Sequence, residues 1–575
     1  MIKHLKTKHL TYCLTIAIVA FVLILPQLIS GNMVLGSDVI FHFNRFYDTA
    51  EQVRHLNFDY FISLYGFQQS GRIVNALYGP VLSYCQGVLV LVSRNWFTYQ
   101  LLSNWFLYCL AGLSMYIFLI KAKLKKPYAL IGSLLYLSTY SIQYWIIKQG
   151  FTSWGAALLP LALSILFQLT ETKQVPKWLL GIYTAMMVQT HMLTSLILVL
   201  IYIPFFGYAF FQNRQKGKFI RDLVVEILIF ICLTLNVWLA YVTVFARNQM
   251  TRPFINHEMS YSTINQHSFY WLLNPVILAP ILVVIYLVFV WKWRSMTAGD
   301  RLWLGVMTLM LLLSTSLVPW DWLIKQNNSV AELVQFPFRF FVPVSVIAIY
   351  LILKICSRVQ GLQPYLKIFL SLGLVISLVQ SLFLLVSATA HWNTETNFMP
   401  SQYKVVFNAD IASVKQSFYD RDKKKALDLV AKGTPDYLPI YPKRSGDKQN
   451  RYDLYLSKIV AANKKFTKTV THGGLQVEWL GMSSTEMEVP VVVYKDTVVI
   501  HNGKEIAHRQ LNLSRIGTPS VKQKAHQTNT LFIYYRTGLL EKAMLAGTFL
   551  SWLVVLCHLA YRLGRKQLVT QIFKK

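Results

Sequence analysis

The chain has 575 residues, 54% of them hydrophobic and 14% charged, with a mean hydropathy of +0.42. Such a composition lies outside the range of soluble globular domains and predicts a membrane protein. The formal charge of +31 does not mark a nucleic-acid binder, because its basic residues sit in short clusters beside apolar runs instead of interleaving on one polar face.

Apolar runs long enough to cross a hydrocarbon core of about 30 Å recur from the start of the chain. The first, "LTYCLTIAIVAFVLILPQLI" at 10–29, is too long for a signal peptide and has no small-residue cleavage site, so it is expected to stay as an anchor. The clusters "KHLKTKH" before it, "KAKLKK" at 121–126, "NRQKGK" at 213–218, "WKWR" at 291–294 and "RLGRK" at 562–566 act as topology signals. Placing each in the cytoplasm predicts about twelve crossings with both termini inside. They fall near 10–30, 99–120, 128–147, 154–170, 178–190, 193–212, 222–245, 274–292, 301–318, 338–356, 365–388 and 541–562. Counting the short apolar stretch 77–92 would invert that order, so it is expected to lie in the outer interface. All six cysteines lie in or beside apolar runs, without metal-ligand spacing, which predicts core packing without disulfides.

Outside the membrane this topology leaves loops 31–98, 148–153, 246–273 and 319–337, and a polar region over about 390–540. Within that region "VPVVVYKDTVVIHNGKEI" at 489–506 holds two strand-like runs with a turn signal at "HNGK", and "NTLFIYYR" at 529–536 is a further strand. The predicted fold is therefore a polytopic α-helical membrane protein with an extracellular β-sandwich before its last crossing. Its parts are a helical domain over 1–389, a β-rich domain over 390–540, and a final crossing with a basic tail over 541–575.

Ionisable groups at a membrane boundary are costly and mark candidate sites. In "GSDVIFHFNRFYD", Gly36 to Asp48, a helix from residue 37 would put Asp38, His42, Arg45 and Thr49 on one face, with Phe41, Phe43 and Phe46 free to meet lipid. Ser37 could cap that helix and Asp38 would stand at its positive end, fit to accept a proton; a simple interfacial cap is the competing reading. In "VQFPFRFF", Val334 to Phe341, Arg339 opens a crossing among aromatic residues. It is a candidate phosphate ligand, with snorkelling as the alternative. Lys148 in "IIKQGFTSWG" defies the charge rule by standing outside. "QTHMLTS" places Gln189 and His191 between two short helices, which suggests a cavity dipping into the outer leaflet. His191 also suits a structural role. No P-loop, GxGxxG after a strand, HExxH or paired-cysteine pattern occurs in a suitable context, so a membrane enzyme of this kind would need an activated donor delivered through the bilayer, such as a polyprenyl-linked sugar phosphate.

These stretches, together with "PDYLPI" at 435–440 and in this order, resemble the bacterial membrane proteins labelled 6-pyruvoyl-tetrahydropterin-synthase-related, YfhO-like members of the GT-C glycosyltransferases. The resemblance implies a large first outer loop with interfacial helices and a catalytic carboxylate there, which maps onto Asp38. It implies a lipid-phosphate sugar as donor substrate and no other cofactor. Many such enzymes pair two acids at this point, whereas Val39 follows Asp38 here, leaving Asp48 or Glu51 as a possible second carboxylate. The loop 148–153 has no acid, which argues against a metal.

The resulting expectation is an inverting, metal-independent glycosyltransferase on the outer face of a bacterial plasma membrane. Asp38 would be the base and Arg339, with Lys148 or Arg45, the lipid-phosphate ligands; His42, His191, Gln189 and Gln335 would line the sugar cavity. Its partners would be the bilayer, the polyprenyl-phosphate sugar, a separate synthase making that donor, and a wall-polymer, teichoic-acid or glycolipid acceptor. Residues 391–540 carry 22 basic and 13 acidic side chains, a balance that attracts polyanions. A flippase or transporter of lipid-linked sugars and a non-catalytic envelope scaffold are the rivals.

Overall fold

An isolated apolar segment in a bilayer satisfies its backbone as a helix, and helices dominate this chain. The computed structural model describes residues 2–251, 254–396, 398–399, 404–442 and 450–572, with side chains for all of these except 2–8, 360 and 562–572. Most side chains of the first basic cluster and all of those at 562–566 therefore lie outside the described set. Among the described residues nine helical segments are long and apolar enough to cross a membrane: His9–Ser30, Trp96–Lys121, Thr152–Thr172, Met192–Gln212, Lys216–Phe245, Leu278–Ser295, Pro337–Arg358, Gln363–Asn393 and Leu539–Tyr561.

The other three expected crossings are shorter, each for a local reason. Across 128–147 the helix Lys126–Leu137 stops and Tyr140–Lys148 begins anew. Ser138 Oγ and Thr139 Oγ1 bond back to the carbonyls of Leu135 and Tyr136, each at 2.7 Å, competing with the helical ladder. Leu179–Thr190 has 12 residues and ends at His191, whose backbone is extended. Ala298–Leu313 has 16, a rise of about 24 Å, and ends where Ser314 Oγ bonds the Leu311 carbonyl at 2.6 Å. The stretch expected at the interface, 77–92, contains the 13-residue helix Pro80–Val92.

All six cysteines are free, but only Cys356 is buried. Cys85, Cys232 and Cys557 are exposed on helices, so the expected core packing holds for Cys356 and for the part-buried Cys109, which packs against the helical core.

Among the described residues beyond 390, three antiparallel sheets form. Val405–Phe407 pairs with Val430–Lys432. A five-stranded sheet runs in the order Thr467–Thr471, Gly474–Leu480, Thr528–Tyr535, Thr497–His501, Lys504–Ile506. A three-stranded sheet joins Glu486–Glu488, Pro519–Lys522 and Asn512–Leu513. The expected hairpin turns at Asn502 and Gly503, both at positive φ, as Asn-Gly turns between paired strands do. Its first strand begins at Thr497; Val489 to Tyr494 is buried but outside the ladders.

Two cores result. One gathers the helices together with Trp392, Val414, Phe418 and Leu427. The other joins the sheets to Phe61, Ile62, Leu64 and Ile73 of the first loop. The polar region thus packs on both sides of the first loop, which positions the site described next.

Candidate functional site

The helix Val39–His55 follows directly on the first apolar helix and its short link. Asp38 is its N-cap residue but makes no side-chain capping bond, so the carboxylate is left for other partners. Asp38 Oδ1 accepts from Lys432 Nζ at 3.2 Å, and the same ammonium donates to the Ser37 carbonyl. The Asp38 side chain is 50% exposed, that of Lys432 only 13%. Lys432 ends the strand Val430–Lys432, so the small two-stranded sheet delivers the cation.

About two turns further on, Arg45 is completely buried. Its Nε donates to Asn75 Oδ1 at 3.1 Å, one Nη to His42 Nδ1 at 3.3 Å and the other to the Tyr78 carbonyl. The guanidinium carbon lies 4.5 Å from the Tyr78 ring centroid and 4.8 Å from that of Phe151. Burial lowers Arg45 to about 10, leaving it a cation at neutral pH, and no carboxylate pairs with it among the described residues. Thr49 Oγ1 donates to the Ser83 carbonyl at 2.8 Å. The face shared by His42, Arg45 and Thr49 therefore packs on residues 75–92. The expectation that Phe41, Phe43 and Phe46 meet lipid fails: all three are buried, and Phe43 stacks on Trp96 with centroids 4.1 Å apart. Helix Pro80–Val92 and Phe418 of the polar region cover this helix where bilayer was expected.

Close backbone approaches bring the other candidates in. A Cβ on Gly36 would fall 2.3 Å from the Lys148 backbone, and the Gly36 N–H donates to Gln149 Oε1 at 2.5 Å. Lys148, itself exposed, thus stands at the rim beside Asp38. Gly79 sits at φ +56, where a Cβ would fall 2.3 Å from the Thr190 carbonyl. That contact sets Tyr78 edge-on to His191, ring centroids 6.3 Å apart. His191 caps Met192–Gln212, its Nδ1 accepting from Thr194 N–H at 3.3 Å, so the neutral ring carries its proton on Nε2. Burial, then Arg339 and Arg45, push it down to about 3. Burial and Arg45 likewise hold His42 well below the usual histidine range.

Arg339 lies at the start of Pro337–Arg358. One Nη donates to the Val334 carbonyl and to Gln335 Oε1, both at 2.9 Å. Gln335 is anchored in turn through its Nε2 to the Phe254 carbonyl at 2.5 Å. The Nε of Arg339 is buried without a partner. Asp38, Tyr78 and Tyr144 are all within its electrostatic reach.

The fully buried Arg72 donates to the carbonyls of Thr434, at 2.8 Å, and Asp436, at 2.6 Å, and its Nε too lacks a partner. Asp436 feels Arg72, Asp38 and Lys432, and loss of surrounding water pushes its carboxyl up to about 6.

The chain has no match among family models, curated proteins or solved structures.

Asp38, His42, Arg45, His191, Arg339 and its support Gln335 are thus brought together, with Lys148 at the edge. Asp48 and Glu51 are set apart. Asp48 Oδ1 accepts from the N–H groups of Tyr65 and Gly66 at 2.8 and 3.2 Å, and Oδ2 from Gln52 at 2.9 Å. Glu51 pairs with Arg54 at 3.0 Å and His55 at 3.4 Å. Each lies ten or more residues along the helix from Asp38, a rise of about 15 Å or more. Gln189 exchanges hydrogen bonds with Asn236 at 2.6 and 3.2 Å and donates to the Leu233 carbonyl, tying helices instead of lining the cluster.

Lys432, Asp436 and Arg72 were not picked out from sequence. The only signal was the motif "PDYLPI", which carries Asp436 but not its role. The cluster counts four cations, Arg45, Arg72, Arg339 and Lys432, against the carboxylates of Asp38 and Asp436, with both histidines neutral. Chemically it can attract an anion, direct the half-buried Arg339 guanidinium at it, and present a half-open carboxylate beside it. Among the described residues no group of three or more His, Cys, Asp or Glu is placed to hold a metal ion.

Proposed function

We propose that the chain is a membrane glycosyltransferase of the GT-C, YfhO-like kind, moving a sugar from a polyprenyl-phosphate donor to an envelope acceptor on the outer face of a bacterial plasma membrane. Both termini are then cytoplasmic, residues 390–540 extracellular, and twelve helical segments, three of them short, make up the membrane domain. The observation that carries this reading is the excess of positive charge around Asp38, with Arg45 and Arg72 fully buried and with Arg339 and Arg72 each keeping a buried Nε without a partner. A buried cation without a counter-ion is costly, and a lipid-linked phosphate entering from the bilayer supplies one.

In the proposed reaction an acceptor hydroxyl attacks the anomeric carbon from the face opposite the phosphate. The new C–O bond forms as the sugar–phosphate C–O bond breaks, inverting the configuration. The hydroxyl proton passes to Asp38, and the electron pair of the broken bond goes to the phosphate oxygen. Lys432 holds Asp38 Oδ1, leaving Oδ2 for the proton. Arg339, held by Gln335, stabilises the departing charge, and Arg45 adds its field without contact, since its donors are occupied. Neutral His191 offers Nε2–H to a sugar hydroxyl. The positive polar region suits an anionic polymer or glycolipid acceptor, and a separate synthase makes the donor.

Asp38→Asn tests the proposal in cells. At normal membrane abundance, sugar on isolated wall polymers and lipids should fall by about 10²–10⁴-fold, the range for loss of a positioned base. Unchanged glycosylation sinks the enzyme reading. Lost glycosylation in cells, with transfer by isolated membranes intact on added donor, identifies a flippase instead.

A further inference from the structure

Pro337–Arg358 starts at the cluster and ends, about 30 Å away by its rise, at a pocket of about 380 Å³. The pocket lies between the ends of Leu278–Lys292 and Phe341–Arg358 and the start of Ala298–Leu313. With these helices spanning the bilayer, it is on the membrane surface opposite Asp38. At its centre Asp300, nearly buried, closes the capping box of its own helix, its Oδ2 accepting from the Thr297 N–H at 3.4 Å and from Thr297 Oγ1 at 2.8 Å. It also holds Lys354, whose Nζ donates to Tyr350 Oη at 2.8 Å as well, and Arg358 at 3.5 Å. Lys292 completes the mouth, its Nζ 3.9 Å from the centroid of the exposed Trp291 ring. Three cations thus surround one carboxylate. Below them the walls turn apolar with Phe289 and Leu351.

We infer that this pocket binds the phosphate of an anionic phospholipid of the cytoplasmic leaflet. Asp300 neutralises only one of the three charges, so a phosphate between Lys292 and Arg358 restores the balance. Lys354 is fixed by its ion pair, while Arg358 is exposed and Lys292 half-buried at the mouth, so both can reach a ligand. A free phosphate shares the charge chemistry but has no use for the apolar wall, whereas a lipid fills both halves. Basic recesses between helices on the cytoplasmic side bind lipid head groups for these reasons, and an exposed tryptophan fits at that depth.

The test uses the full-length protein in mixed micelles of phosphatidylcholine and phosphatidylglycerol, with native mass spectrometry counting retained lipids. Lys292→Gln/Arg358→Gln spares the Lys354–Asp300 pair, so the fold is kept. It should lower retained phosphatidylglycerol about tenfold or more while leaving phosphatidylcholine unchanged. Lys367→Gln, which removes an exposed charge outside the pocket, should change neither. Equal loss in Lys367→Gln, or no loss in the double variant, overturns the site. Displacement of the lipid by millimolar inorganic phosphate, with no preference for phosphatidylglycerol, overturns the lipid assignment and leaves a free-phosphate site.

Discussion

Arg339 and Arg45 are two guanidiniums of one cluster with different duties, and hydrogen bonding separates them. Arg45 spends all three nitrogens on Asn75, His42 and Tyr78, so it contributes charge and rigidity. Arg339 keeps Nε unused and has its orientation set by Gln335, which makes it the group able to bond an incoming anion. Removing one such donor from a developing charge typically costs about 10²–10³ in turnover. Arg339→Gln should therefore lower kcat by that factor, measured as transfer of labelled sugar from a synthetic polyprenyl-phosphate donor in isolated membranes. Arg339→Lys, which restores charge without the planar fork, should recover only part of it. A change confined to KM would instead assign Arg339 to donor binding alone.

At the scale of elements, the helix Val39–His55 is held by Asp48, which ties it to the N–H groups of Tyr65 and Gly66. Burial raises the Asp48 carboxyl from 3.8 to about 6, against the pull of those same hydrogen bonds. A carboxyl with a raised folded value favours folding while protonated. Its penalty therefore grows as pH rises from about 4 to about 6 and is constant above. Asp48→Asn removes this titration. The Tm of Asp48→Asn minus that of the unchanged protein, in detergent, should climb across that window and then level off. A difference independent of pH would show that Asp48 titrates as it does in the unfolded chain.

Elements of this kind were only partly legible. Hydropathy located the nine long apolar helices and the Asn-Gly signal located the hairpin, because both depend on residues near in sequence. The interruption at Ser138 and Thr139 was missed, since hydroxyls that bond backward weigh little in a hydropathy window. The aromatic face of Val39–His55 reads as lipid-facing in sequence because its actual cover, Trp96 and Phe418, comes from distant parts of the chain.

Across the whole molecule, the cluster is closed by groups that no periodicity could have placed beside Asp38. Arg72 in the first loop grips the Thr434 and Asp436 carbonyls through hydrogen bonds spanning more than 360 residues of chain. Lys468 donates to the carbonyls of Gln68 and Gln69, at 2.8 and 3.1 Å. Sequence reading finds the stretches that carry chemistry but not which of them meet, which is why His42 and Arg45 were singled out and Lys432 was not. Arg72→Met keeps the apolar stem and strands two buried carbonyls, a loss of about 2–4 kcal/mol. Hydrogen exchange should then speed up together at 66–77 and 434–440, with the strands at 474–480 and 528–535 unaffected. Faster exchange throughout the sheets would mean that Arg72 supports the fold as a whole.

The pairing of Asp38 with Lys432 across 394 residues also sets a schedule for biogenesis. A ribosome feeding this chain into the membrane releases Asp38 early, and its cationic partner follows only after eleven of the twelve proposed helical segments have been made. Until then the carboxylate has no lysine beside it, and the cluster lacks both Lys432 and the carbonyls that hold Arg72. Contacts so distant in sequence form late and slowly, so nascent and truncated chains carry an unfinished cluster, which closes only when the polar region packs onto the helices.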